Sequence, residues 1–172
     1  MRISIIAFAA GSLLFGLMSL AAQEKLSSAD KKFIDEAANI DMLEAHAGQM
    51  AENQASNSDV RSFGQTLAQD HSKAYGQLLE LGERIHQQVP RGIDVRRDAA
   101  VSQLQHAKGP QFDRQFAMNE VRDHQKALVE FKREAEHGEN AAVKNYANQQ
   151  IPVLEEHLRK AQDLARSSKQ KS

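Results

Sequence analysis

The sequence predicts an all-α fold of four long helices, and three observations lead there. Ala, Leu, Gln, Glu and Lys dominate, while β-branched runs alternating with period two are missing. Apolar residues recur at three- and four-residue spacing through four long segments. Those segments are divided by two brief breaks and one longer connection. At 172 residues, 41% hydrophobic and 26% charged, the chain suits one globular domain with a real core.

The first stretch is not part of that core. One Arg precedes an apolar run from Ile3 to Leu20, which leaves through Ser19-Leu20-Ala21-Ala22. This is signal-peptide anatomy, with cleavage after Ala21 or Ala22. An uncleaved anchor is the alternative, since such a run nearly spans a bilayer. Gly11, Gly16 and the small-residue exit favour cleavage. Residues 1–22 are therefore assigned to a signal peptide. The remainder is expected to be exported to the periplasm or cell envelope, or secreted, with no stable membrane insertion once the leader is gone. Cysteine is absent throughout, which excludes a lipid anchor, disulfides, thiol catalysis and Cys-type zinc sites. Trp is absent and aromatics are only 5%, so closely spaced helices must build the core from Leu, Ala, Val, Ile, Met and Phe. Lys and Arg number 22 against 23 Asp and Glu; without Arg2 this becomes 21 against 23, or −2. So even a balance argues against a nucleic-acid partner.

The bundle domain is expected over residues 29–165. The first helix runs from about Ala29 to Gln54, capped by Ser27 or Ser28, with Phe33, Ala37, Ile40, Glu44, Ala47 and Ala51 on one face. Ala55-Ser56-Asn57-Ser58 is a tight turn, with Ser58 placed to cap the second helix, Asp59 to Gln88. Val89-Pro90-Arg91-Gly92 stops that helix, and Asp94 to Lys108 carries a short extra helix. The third helix starts near Pro110, a residue favoured in the first turn, and reaches His137. After His137-Gly138-Glu139 the fourth runs from Asn140 to Ala165, with Pro152 inside it as an expected kink. Residues 166–172 are polar and expected to be a disordered tail. Two short turns flanking one connection of about twenty residues fit a ferritin-like bundle with a long crossover, or simple up-down-up-down order.

Each helix interrupts its apolar stripe once near mid-length, at Glu44, His71, His124 and His157. Counting about 1.5 Å per residue from the turns puts these at similar depths, closely in the first hairpin and loosely in the second. They are the candidate ligands of a metal. Glu120, four residues before His124, shares its face, and a carboxylate precedes each histidine: Asp70, Asp123 and Glu156. Neighbours in sequence are rotated by about 100° on a helix, so these acids are candidates to support a histidine on an adjacent helix. Arg61–Ala74 and Arg114–Ala127 also share Arg, Phe, Asp, His, Lys and Ala at matching positions, a weak internal echo. His46, His86, His106 and His137 fall off the stripes or near helix ends, and Met42, Met50 and Met118 are expected to fill gaps.

Phe33, Glu44, Ala51, the segment Asn57–Phe63, Asp70-His71-Ser72, Phe112-Asp113, His124, Gly138, Pro152 and His157 occur in an order that resembles an uncharacterised bacterial family of exported proteins, DUF4142, also labelled predicted outer membrane proteins. The resemblance spans about Asp30 to Leu164 and implies a ferritin-like fold and export, with no activity attached. The di-iron chemistry of ferritin-like bundles needs Glu-x-x-His on two helices. Ala68, Val121 and Leu154 stand where those glutamates would be, so Glu44 and Glu120 alone come near the carboxylate positions.

Three readings follow. A non-enzymatic exported protein would bind a single transition-metal ion (zinc, copper, nickel or iron) in its polar layer. A metal-free envelope stress or interaction module would use the same residues as a structural network. A metal-dependent oxidase would need more carboxylates than the helices supply. No phosphate loop, His-Glu-x-x-His or nucleophile elbow is present. A protein partner or homo-oligomer is left open.

Overall fold

The computed structural model describes residues 26–93, 101 and 103–170. They form α1 (Ser28–Gln54), α2 (Ser58–Ile85), α3 (Gly109–His137) and α4 (Ala141–Gln170). The connection from α2 to α3 is helical at 101 and 103–106. The assigned leader, 1–22, and the start of the expected extra helix lie outside the described residues, among which there is no strand. No helix among them is long and apolar enough to cross a membrane.

The helix ends follow from local chemistry. Ser27 caps α1 by accepting from the Asp30 amide at 3.1 Å, while the Asp30 carboxylate accepts from the Ser27 amide at 2.8 Å. Asn57, not Ser58, caps α2, because its side chain reaches the Asp59 amide at 2.8 Å. α2 stops at Ile85 instead of Gln88: His86 turns left-handed, at φ 55° and ψ 37°. Asn140 opens α4 by accepting from the Ala142 and Val143 amides. The expected disordered tail is corrected as far as Gln170, which ends α4. There Arg166 pairs with Asp163, and the Ser167 and Ser168 hydroxyls bond carbonyls one turn back, so nothing breaks the helix. Pro152 sits on the exposed face of α4, which continues on both sides of it.

α1 packs on α2 and α3 on α4, with further contacts of α1 on α3 and α2 on α4. Two carboxylates clasp the hairpins together. Asp30, at the start of α1, accepts from the amides of Glu139 and Asn140 in the α3–α4 turn. Asp113, at the start of α3, accepts from the Ser56 and Asn57 amides and the Ser56 hydroxyl in the α1–α2 turn. The start of α1 therefore lies at the end of α3, and the start of α2 at the start of α3. α2 and α3 are parallel, and the connection between them is the long crossover. This is a ferritin-like four-helix bundle.

Two apolar clusters fill it. One holds Phe33, Ile34, Leu78, Leu81, Phe131, Val143 and Tyr146, with the Phe33 and Phe131 rings edge to face at 4.9 Å. The other holds Met50, Val60, Phe63, Leu67, Phe112, Phe116 and Leu164. On every helix, residues between the two clusters are polar and buried. Of the methionines, Met50 is buried but Met118 is 59% exposed, so it fills no gap.

Candidate functional site

The layer between the clusters brings the four expected residues and Glu120 into one place, in two groups that share His124. One nitrogen each from His71, His124 and His157 lie within 4.8 Å of one another, as do ligand atoms of Glu44, Glu120 and His124. All five residues are buried, none more than 7% exposed. Glu44 thus sits with Glu120, on the carboxylate side of His124, and the three imidazoles form a group of their own.

Hydrogen bonds fix which nitrogens carry protons. His124 Nδ1 lies 3.0 Å from the Glu120 carbonyl, which can only accept, so Nδ1 is protonated and Nε2 keeps its lone pair. His157 Nε2 lies 3.0 Å from Asp70 Oδ2, which protonates that nitrogen and leaves the lone pair on Nδ1. His71 Nδ1 faces Asp41 Oδ1 at 2.9 Å, leaving the lone pair on Nε2, which is buried with no hydrogen-bond partner. His124 Nε2 and His157 Nδ1 then face each other at 3.3 Å as two acceptors. With all three rings neutral, three lone pairs converge on one spot; a proton taken up on His71 Nε2 can serve one of the two facing nitrogens and not both.

Asp41 is the residue that reading the sequence missed. It is 2% exposed, and its second oxygen accepts from the Tyr146 hydroxyl at 3.1 Å. The signal was present: Ile34, Ala37, Ala38 and Asp41 share a stripe at three- and four-residue spacing, one step round from the face that includes half-buried Ile40. Of the supporting carboxylates, Asp70 reaches a histidine on another helix as expected. Asp123 and Glu156 do not: Asp123 pairs with Arg122, and Glu156 with Arg159 on the surface. Both point outward because a residue beside a buried one is turned by about 100°. Exposed Arg side chains can reach them there, whereas α4 offers Asp70 the edge of His157.

Charge is distributed unevenly across the layer. Burial lowers the pKa of His71, but the hydrogen bond and charge of Asp41, with Glu44 and Asp70, reverse that and hold it above the usual value. His124 is driven well below the usual range by burial, then by His71 and His157. His157 is lowered by burial and His71, against a partial pull from Asp70. Burial raises Glu44 and lifts Glu120 well above the carboxylate range, Glu120 further by the charge of Glu44. Glu44 Oε2 and Glu120 Oε2 are both buried without a hydrogen-bond partner.

Known proteins share the sequence pattern and the fold of this chain. The pattern of the family described as Domain of unknown function (DUF4142) matches residues 16–164. The chain belongs to that family. Among solved structures it is similar to one described as the crystal structure of a DUF305 fragment from Deinococcus radiodurans, at 17% identity and a TM-score of 0.72. The match covers 82% of this chain and 98% of that one, a likeness of fold. No functionally curated protein matches. Family membership carries the helical fold to this chain and leaves function to be argued from the layer itself.

Proposed function

We propose that this bundle is an exported protein that binds a single transition-metal ion through His71 Nε2, His124 Nε2 and His157 Nδ1. The observation that carries the reading is the convergence of three buried imidazole nitrogens that one proton cannot satisfy. A metal-free network must satisfy every member. One added proton can bridge two of these nitrogens and leaves the third without a partner. A cation that accepts three imidazoles satisfies all of them, and zinc, copper, nickel and iron have that preference. Asp41, Asp70 and the Glu120 carbonyl orient the rings and raise their basicity, the role such outer partners take around metal-bound histidines. Asp70 and Asp41 also bring negative charge that offsets that of the ion.

Binding fits better than oxidase chemistry. No Glu-x-x-His places a carboxylate beside His71 or His157, so the ligand set of a di-iron oxidase is incomplete. The export assignment rests on the leader at 1–22. The test is metal analysis and a thermal scan of the chain purified without an affinity tag. With zinc or copper at a hundred times its dissociation constant, binding to the folded state alone adds about 2.7 kcal/mol, raising Tm by about 5–10 °C. His71→Ala and His157→Ala should each abolish the shift. A metal-free native protein whose transition ignores zinc, copper, nickel and ferrous iron overturns the reading and leaves the network structural.

A further inference from the structure

The carboxylate half of the layer opens to solvent, and the imidazole half does not. A groove of about 770 Å³ runs between α1 and α3, and both Glu44 and Glu120 line it. Leu43 and Leu104 supply apolar wall, and the charged residues nearest the outside cancel: Lys32, Arg122 and Lys126 against Glu36, Asp123 and Glu130. With the rim balanced, the floor of the groove is set by its two buried acids, which hold a proton between them, and each has one oxygen without a hydrogen-bond partner. Glu120 Oε2 in turn lies 3.5 Å from His124 Nδ1, so the same ring borders both groups.

A second opening, of about 390 Å³, is lined by α1, α2 and residues 91–93 and reaches Asp41. It ends there, because His71 and Tyr146 already engage both Asp41 oxygens. On the α2–α4 side, the Asp70 carboxylate is held by His157. Of these approaches, only the α1–α3 groove presents oxygens without a partner.

We propose that the α1–α3 groove is the route by which a divalent cation enters the bundle, with Glu44 and Glu120 as a transit site that takes it from water and passes it to the histidines. This rests on the three-histidine reading above. A dehydrating cation gains two carboxylate oxygens at the floor of the groove and takes the place of the proton that burial and Glu44 hold on Glu120. The pair is a poor final site for an imidazole-preferring ion, because softer nitrogen donors lie just beyond it. Carboxylates first and imidazoles second hands the ion across His124, the ring that borders both groups.

The experiment is stopped-flow mixing of the full chain with copper(II), followed by visible absorbance, together with equilibrium titration. Glu44→Gln and Glu120→Gln keep the shape of each side chain, and Leu43→Trp narrows the groove with both acids intact. Each should slow uptake about tenfold or more, slow release in parallel, and leave one copper per chain at unchanged affinity. Circular dichroism and Tm check that the variants fold. Uptake by all three variants at the native rate overturns the route, while native binding at full stoichiometry keeps the three-histidine reading. Loss of equilibrium affinity in the Gln variants also overturns it, making the glutamates permanent ligands. Absence of copper binding by the native chain removes the parent reading and the route together.

Discussion

Replacing Glu134 by Gln should stabilise the protein at alkaline pH and leave it unchanged at acidic pH. Glu134 is 4% exposed, near the start of α1, and its Oε1 has no hydrogen-bond partner. Burial, then its contact with Asp30, pushes its pKa from 4.5 to about 7. Asp30 keeps its own pKa low through Ser27, Glu134 and Glu139 despite burial, so Glu134 holds the proton of the pair. Below pH 4.5 both folded and unfolded chains carry the Glu134 proton, and no penalty exists. As pH rises toward 7 the unfolded chain releases that proton while the folded chain retains it, so stability falls and then levels off above pH 7. The gap of about 2.5 pH units sets an upper limit of about 3.4 kcal/mol. Solvent access at the bundle end screens this, leaving about 1–2 kcal/mol. The glutamine amide would keep a donor for Asp30 and carry no charge at any pH. Thermal or urea unfolding of both proteins at pH 4.5 and pH 8 measures the difference, in which every other titrating group cancels. Equal stability at pH 4.5 and a gain of about 4 °C at pH 8 are expected. An offset between the two proteins that is the same at both pH values would refute the proton-sharing argument.

Three further substitutions probe other parts of the molecule. A Cβ on Gly48 would stand 2.5 Å from the Gly64 carbonyl and 2.7 Å from the Ala68 amide of α2, so Gly48→Ala should cost about 1–3 kcal/mol by forcing α1 and α2 apart, seen as a lower urea midpoint. Asp41→Asn should weaken zinc or copper binding about 10–100-fold in isothermal titration while stoichiometry stays at one, since it removes the carboxylate that orients His71. His86→Gly should raise Tm by a few degrees, because an L-residue at φ 55° costs about 1 kcal/mol that glycine does not. A lower Tm for that variant would mean that the exposed imidazole makes a stabilising contact.

The fold was legible because its signals are local. Helical spacing, the Ala55–Asn57 turn, Pro110 in a first turn and Gly138 at a helix end each act within a few residues, and each lies where the sequence indicated. The boundaries that moved did so for local reasons too. Asn57 outcompeted Ser58 as cap because Ser58 is already helical, and the last turn of α4 persists on Ser and Arg side chains that read as loop composition. Parallel α2 and α3 could not be read, since crossover and up-down bundles differ only in where the connection lands. That is decided by Asp30 and Asp113, whose partners are more than fifty residues away. The site was legible to the same depth. One interruption per stripe identified Glu44, His71, His124 and His157, but the pairing of Asp70 with His157 and of Asp41 with His71 depends on which helices are neighbours.

The two end clasps also explain why the interruptions meet. Asp30 lies beside Glu134 and thus pins the start of α1 level with the last turn of α3. The step from Asp30 forward to Glu44 along α1 equals the step from Glu134 back to Glu120 along α3. At about 1.5 Å of rise per residue, each glutamate is roughly 21 Å from the clasp. Because α1 and α3 are antiparallel, both steps run the same way down the bundle. Glu44 and Glu120 must therefore arrive at the same level, and their carboxylates do lie together. His124 follows one turn nearer the clasp, between them and the imidazoles. Apolar packing alone would tolerate a slip of one helical turn between hairpins, since Leu, Ala and Phe can repack at similar volume. A slip here would strip amides from Asp30 and Asp113 and separate the two glutamates. The register that assembles the polar layer is thus enforced by buried carboxylates outside it, Asp113 about 10 Å and Asp30 about 21 Å along the helices.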